Sequence, residues 1–263
     1  MATYLDRILE HHRARVATDS RPVDDLAAAA AMAPATRPFA QHLRRRDRLN
    51  VISEIKRRSP SKGDLAIALD PATLAARYRD GGASALSVLT DGPHFGGDPA
   101  DLVAARDAVD LPVLRKDFTV SARDVYDARI MGADAVLLIV AALSDDELET
   151  FDSLATTLGM AVLVETHDEA EVARALAHTG ASIIGVNQRD LVTFEVDQQR
   201  AVRVAEAIPS TSIKVAESGV RGVPDALALA EAGYDAILVG EFLVTAADAD
   251  AALKSLRVPA APR

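Results

Sequence analysis

From residue 51 onward the chain repeats one theme. Short β-branched or apolar runs begin near residues 51, 85, 113, 135, 161, 183, 213 and 236, reading "VISEIK", "ALSVLT", "VLRKDF", "AVLLIV", "AVLVET", "IIGVN", "IKVAESG" and "AILVGE". Their starts lie 22 to 34 residues apart, and the intervals have room for Ala/Leu-rich amphipathic helices such as "DPATLAARYRD" and "DEAEVARALAHTG". Asp70-Pro71, Ser121, Ser144 and Asp168 mark helix starts, because a short oxygen side chain can bond the free N–H groups of a first turn. Gly81, Gly132, Gly180 and Gly233 each precede a strand by a few residues and are expected to end helices at positive φ. Eight such units of near-constant period predict a closed (β/α)8 TIM barrel, of class α/β. An open doubly wound sheet also uses βα repeats, but eight runs without a break and no glycine-rich dinucleotide fingerprint favour the barrel.

Residues 1–50 fall outside the eight units. Tyr4 to Val16 reads as a helix, and Ile8, Leu9, Leu26, Phe39 and Leu43 offer apolar anchors. The expected organisation is therefore an N-terminal helical extension, 1–50, packed on a barrel of residues 51–263.

Bulk properties exclude several function classes. With 39 acidic against 29 basic residues the formal charge is -10, which disfavours broad binding to nucleic acid or an anionic membrane. A local basic pocket for a small anion is still compatible with that balance. The chain has no cysteine, so thiolate chemistry, disulfides and cysteine zinc sites are excluded. The N-terminus is too charged for a signal peptide and no apolar run approaches a membrane span, so a cytoplasmic protein is expected, and a monomer.

In a barrel of this kind alternate strand residues face inward and chemistry sits at the C-terminal rim. Glu54 and Lys56 end the first run, Lys116 the third, Glu165 the fifth, Asn187 the sixth and Glu217 the seventh. Each follows apolar residues on its own face. Any one charged strand end is more often solvated or paired than functional. Six on one rim are costly to bury as mere structure, and with Arg189 they balance three positive charges against three negative ones. Mixed Lys and Glu in a shared cleft suit acid–base work, since neighbouring charges and desolvation drive their pKa values apart.

The seventh and eighth units carry "AESGV" and "LVGEF", where such barrels commonly hold a phosphate on backbone N–H groups. Gly219 and Gly240 would admit a phosphate close to the backbone, with Ser218 as a hydroxyl donor. The basic loop "RRSPSKG" follows the first run and can wall a ligand, with Ser59 as donor, and "DGPHFGG" forms a second rim loop whose Phe95 covers the pocket. His94 reads as a surface histidine. No group of histidines and carboxylates shows metal-ligand spacing, so neither a metal nor another cofactor is expected.

These motifs, taken in order, resemble the indole-3-glycerol phosphate synthase family: "VISEIKRRSPSKG", "FGG", "LRKDF", "GADAVLLIV", "VLVETH", "IIGVNQRDL", "KVAESG" and "ILVGE" span Val51 to Glu241. The resemblance implies closure of the pyrrole ring of 1-(2-carboxyphenylamino)-1-deoxyribulose 5-phosphate with loss of carbon dioxide and water. It implies Lys116 as general acid in ring closure and Glu165 as acid–base residue in dehydration. Lys56 would pair with substrate and Glu54, while Asn187, Arg189 and Glu217 orient the anilino-sugar. Ser59, Phe118 and Leu191 would be substrate contacts, and Ser218, Gly219, Gly240 and the backbone of Glu241 the phosphate cradle. Glu241 departs from the family's usual Ser, and its carboxylate is expected to point away from the phosphate. His167, after the catalytic Glu, receives no role. The rival readings are another phosphate-binding barrel enzyme (an isomerase, an epimerase or a Schiff-base aldolase using Lys116) and a non-catalytic binding barrel.

Overall fold

The computed structural model describes residues 3–44, 47–190 and 192–260. Eight parallel strands close on themselves: β1 Asn50–Ile55, β2 Ala85–Leu89, β3 Val113–Lys116, β4 Ala135–Ile139, β5 Ala161–Thr166, β6 Ile183–Asn187, β7 Ile213–Glu217 and β8 Ala236–Val239. Each strand pairs with the next, and β1 pairs with both β2 and β8, so no edge is left open. The eight apolar runs thus form the staves of the expected barrel.

Alternation along the strands separates two cores. On β4, Ala135, Leu137 and Ile139 pack inside the barrel, while Val136 and Leu138 pack outward against the helices. On β5, Leu163 faces in and Val162 and Val164 face out. Period two does this without help, since successive side chains leave a strand on opposite sides.

Helices α1 Tyr4–Thr18, α2 Val23–Met32 and α3 Phe39–Leu43 precede the barrel. Phe39 and Leu43 are fully buried and join the inner core with Ile52, Ala85 and Ala236, closing the barrel's lower end. Asn50 fixes this plug from below: its amide donates to the carbonyls of Leu43 and Asp235, both at 3.1 Å.

The outer helices are α4 Pro71–Gly81, α5 Pro99–Ala108, α6 Ala122–Ile130, α7 Asp145–Thr157, α8 Glu169–His178, α9 Arg200–Val204, α10 Val223–Glu231 and α11 Ala249–Leu256. Asp70, Ser121, Ser144 and Asp168 each accept a first-turn N–H, as their positions in the sequence predicted. The glycine expectation needs correction at two places. Gly82, not Gly81, takes the left-handed turn after α4 (φ 89°), while Gly81 admits Leu253, whose Cδ2 would lie 2.8 Å from an added Cβ. Gly180 does not adopt positive φ, because α8 ends on an extended Thr179 instead. Two rim segments read as loops carry short structure: residues 92–95 form one helical turn, and Arg58–Ser59 pairs with Gly63–Asp64 as a small hairpin. Among the described residues no helix is long and apolar enough to cross a membrane.

Candidate active site

The C-terminal ends of the strands surround a cavity of about 840 Å³. Its floor is apolar, made by Leu137, Ile139 and Leu238 from the inner core. Glu54, Lys56, Lys116, Glu165, Asn187 and Glu217 all line it, so the six strand-end groups meet in one space. The inward alternation that buries Ile52 and Leu163 is what carries Glu54 and Glu165 there, two residues further along.

One ammonium organises the centre. Lys116 Nζ donates to Glu165 Oε2 at 2.8 Å and to Glu217 Oε2 at 2.7 Å. Burial alone would push the Lys116 ammonium down, but Glu165, Glu217 and Glu54 outweigh it and hold its pKa well above the ordinary lysine value. The two carboxylates are not equivalent. Burial pushes Glu165 up, yet Lys116, His167 and Asn187 prevail and hold it below the ordinary range. Glu217 goes the other way, raised by burial and by the nearby Glu165 and Glu54 despite Lys116. One cation cannot fully neutralise two buried carboxylates, so the site divides them.

The neighbouring side chains are fixed in turn. Asn187 Nδ2 donates to Glu165 Oε1 at 3.0 Å, and Asn187 Oδ1 accepts from the Arg189 backbone at 3.0 Å. Lys56 Nζ lies 2.5 Å from Glu54 Oε1. Gly240 makes that pair possible: an added Cβ would collide with Glu54 Oε1 and lie 3.0 Å from Lys56 Nζ. The missing side chain at Gly240 therefore serves the ion pair.

Above the floor, Phe95 and Phe118 cover one wall with ring centroids 6.4 Å apart. Arg189 joins two loops, its Nη1 donating to Ser61 Oγ and to the Phe194 carbonyl, each at 3.1 Å. Ser218, Gly219, Gly240 and Glu241 line the opposite side, where Gly240 precedes a helical turn at 241–244. Ser218 and Gly219 hold successive positive φ angles of 64° and 77°. Ser218 is strained there, since a Cβ disfavours this region. Gln188 and Gln198 hold the turn, donating to the carbonyls of Ser218 at 2.8 Å and Gly219 at 2.6 Å. Neither glutamine was legible as a site residue, because no local period points to it.

Several expectations fare differently. Ser59 does not line the cavity: its hydroxyl accepts the Lys62 N–H at 3.2 Å within its own loop, and Pro60, Ser61 and Lys62 face the space instead. Leu191 lies outside the described residues. Glu241 is partly exposed, with its carboxylate 3.9 Å from Lys62 Nζ across the mouth. His94 is not a surface histidine. Its Nδ1 lies 2.9 Å from Asp91 Oδ2, which also faces His12 Nε2 at 3.4 Å.

His12, Asp91 and His94 thus offer three possible metal-ligand atoms within 4.8 Å of one another, a grouping hidden by their separation in sequence. Asp91 is already engaged, its Oδ1 capping the turn at 92–95 and its Oδ2 meeting both rings. The arrangement reads as a hydrogen-bonded pin between α1 and the β2 rim loop.

Comparison with known proteins adds the following. Residues 5–256 match the family model described as indole-3-glycerol phosphate synthase. The protein of that name from Mycolicibacterium vanbaalenii is 51% identical over 257 residues, covering 97% of this chain and 94% of that protein. Its namesake from Paenarthrobacter aurescens is 57% identical over 200 residues, covering 76% of this chain and 73% of its own length. Among solved structures, a 3-hexulose-6-phosphate synthase superposes with TM-score 0.62 at 20% identity, covering 80% of this chain and 98% of that one. A thiamine phosphate pyrophosphorylase from Pyrococcus furiosus does so with TM-score 0.60 at 18% identity, covering 83% and 95%. These two share the fold.

Proposed function

The chain belongs to the indole-3-glycerol phosphate synthase family, a carboxy-lyase of tryptophan biosynthesis, and from that premise we propose how its residues divide the reaction. Closing the pyrrole ring of 1-(2-carboxyphenylamino)-1-deoxyribulose 5-phosphate places two protons on the ketone oxygen, which leaves as water. One proton comes off carbon during dehydration. Loss of carbon dioxide from the carboxylate therefore leaves each turnover consuming one proton net. The site must supply at least two proton donations and one abstraction.

Lys116 is the general acid of ring closure, because negative charge develops on the ketone oxygen as the aromatic carbon attacks. Glu165 is the acid–base residue of dehydration, its ionised form being suited to take the carbon-bound proton. Lys56, held against Glu54, contacts substrate and serves the proton steps. Asn187, Arg189 and Glu217 orient the anilino-sugar, with Phe118 against its apolar face. The strained turn at Ser218 and Gly219, with the backbone at Gly240 and Glu241, receives the phosphate.

The observation that carries this reading is the single ammonium held between two buried carboxylates from different staves, all three lining one cavity. The test is turnover of the anilino-deoxyribulose phosphate, with the indole product identified, for the wild type, Lys116→Ala and Glu165→Gln. Losses of roughly 10²–10⁴-fold in kcat are expected for each variant. Near-wild-type kcat in either variant would remove the assigned role. We further infer a monomer acting in the cytoplasm, with 1–50 as an extension on a barrel of 51–263. The buried Leu26, Phe39 and Leu43 support the extension, and size-exclusion chromatography tests the monomer.

A further inference from the structure

We propose that His167 is a positioning residue that decides which of the two carboxylates on Lys116 carries the charge, keeping Glu165 ionised and leaving the shared proton to Glu217. This deepens the proposed role of Glu165 and rests on it.

The geometry poses the problem first. Lys116 stands at nearly equal distance from the two carboxylates, 2.8 and 2.7 Å, and their side chains are equally buried at 2% exposure. Nothing in that contact prefers one over the other. The asymmetry lies at the second oxygens. Glu165 Oε1 faces Asn187 Nδ2 at 3.0 Å and His167 Nε2 at 3.8 Å, whereas Glu217 Oε1 is buried without a hydrogen-bond partner. Hydrogen-bond donors and positive charge at both oxygens favour the ionised form of a carboxyl, and Glu165 has them where Glu217 does not.

His167 is built to hold a charge at that spot. It follows β5 by one residue, and its backbone N–H and Nδ1 both address Glu171 Oε2 of α8, at 2.8 and 3.0 Å. That grip fixes the ring and puts a proton on Nδ1. Nε2 is then a buried nitrogen with no hydrogen-bond partner, turned toward Glu165. Protonated, it places positive charge beside Oε1. The charged groups around the ring are Glu165 on β5, Glu171 on α8 and Arg200 on α9. Asp168, Glu169, Asp190 and Arg203 line a small cavity of about 400 Å³ together with His167. Burial lowers the imidazole's pKa and Arg200 opposes its charge, but Glu171 and Glu165 prevail and raise it.

The experiment follows the two carboxyls directly. Glutamate carboxyl-labelled protein is titrated by carbon-13 NMR, with Glu165 and Glu217 assigned from Glu165→Gln and Glu217→Gln, and kcat and KM are measured across pH. In His167→Gln the Glu165 midpoint is expected to rise by about one unit, since a positive charge has gone, while the Glu217 midpoint moves less, so that the gap between the two narrows. The acid limb of the kcat–pH profile should move up by the same amount as the Glu165 midpoint, with KM at about pH 8.5 unchanged. Glu171→Gln, which keeps the ring but loosens its grip, should move the midpoints the same way by less. In His167→Ala, added imidazole should reverse part of the shift. Unmoved midpoints in both His167→Gln and Glu171→Gln overturn the proposal, whether kcat falls or holds. An active Glu165→Gln would instead sink the catalytic role of Glu165 while leaving the NMR result to stand.

Discussion

The carboxylate of Glu217 occupies the space above Gly185, where a Cβ would collide with Glu217 Oε1 and press Leu163 Cδ1 at 3.2 Å. The glycine on β6 is thus the reason Glu217 can reach inward to Lys116. Gly185→Ala should displace the carboxylate and lower kcat/KM by roughly 10²-fold through misplacement alone. It should also cost about 1–3 kcal/mol from overpacking. Adding Glu217→Ala should recover most of that stability but none of the activity, a coupling that a double-mutant cycle in denaturant measures.

Lys116 neutralises a site that is otherwise acidic. In Lys116→Met, Glu165, Glu217 and Glu54 lose their central cation, so the folded-state pKa values of the buried pair rise above their unfolded values. A carboxyl raised in this way binds more protons folded than unfolded, and stability then falls as pH rises through the interval. The variant should be less stable than wild type by about 3 kcal/mol near about pH 8.5, with the deficit shrinking toward about pH 5. Thermal melts across pH check the slope. A pH-independent deficit would contradict the charge argument.

Glu241 stands at the mouth with its carboxylate partly exposed and paired only loosely with Lys62. Solvent screens such a charge strongly. Glu241→Ser should leave KM unchanged or lower it by up to about threefold, with kcat unaffected, in steady-state assays at two salt concentrations. A large rise in KM would assign Glu241 a direct part in holding substrate.

Phe39 plugs the end of the barrel away from the cavity and is 1% exposed. Phe39→Ala should cost about 3–5 kcal/mol, as a large core truncation does, while kcat stays within about twofold at temperatures where the variant remains folded. Denaturant midpoints and turnover on the same preparation separate the two effects.

Period and terminus account for what the sequence made legible. The alternation of strand residues is local, so Glu54, Lys116, Glu165, Asn187 and Glu217 could be assigned to one rim before any contact was known. Helix caps were equally readable, because Asp70 or Ser144 acts on its own first turn. What escaped depends on partners distant in sequence. Gln188 and Gln198 matter through the turn at residues 218 and 219, His94 through His12, and His167 through a carboxylate on α8. The loop at 58–63 shows the finer limit: which of Ser59 and Ser61 faces the cavity depends on the local hairpin, and the strand pattern stops short of it. Gly240 is legible for its closeness to a ligand, but not for the room its missing Cβ gives to an ion pair from another stave.

Helix α1 touches the mouth as well as the wall. The ring of Tyr4 meets Phe194 edge-on at 4.8 Å, and Phe194 lines the cavity. Val258 lies at the opposite pole, where its carbonyl accepts the Leu49 N–H at 2.9 Å below β1. A bulky group attached at Tyr4 would therefore crowd the mouth of the cavity, whereas one attached at Pro259 would sit beside the closed base. Affinity tags for kinetic work belong on the carboxyl side.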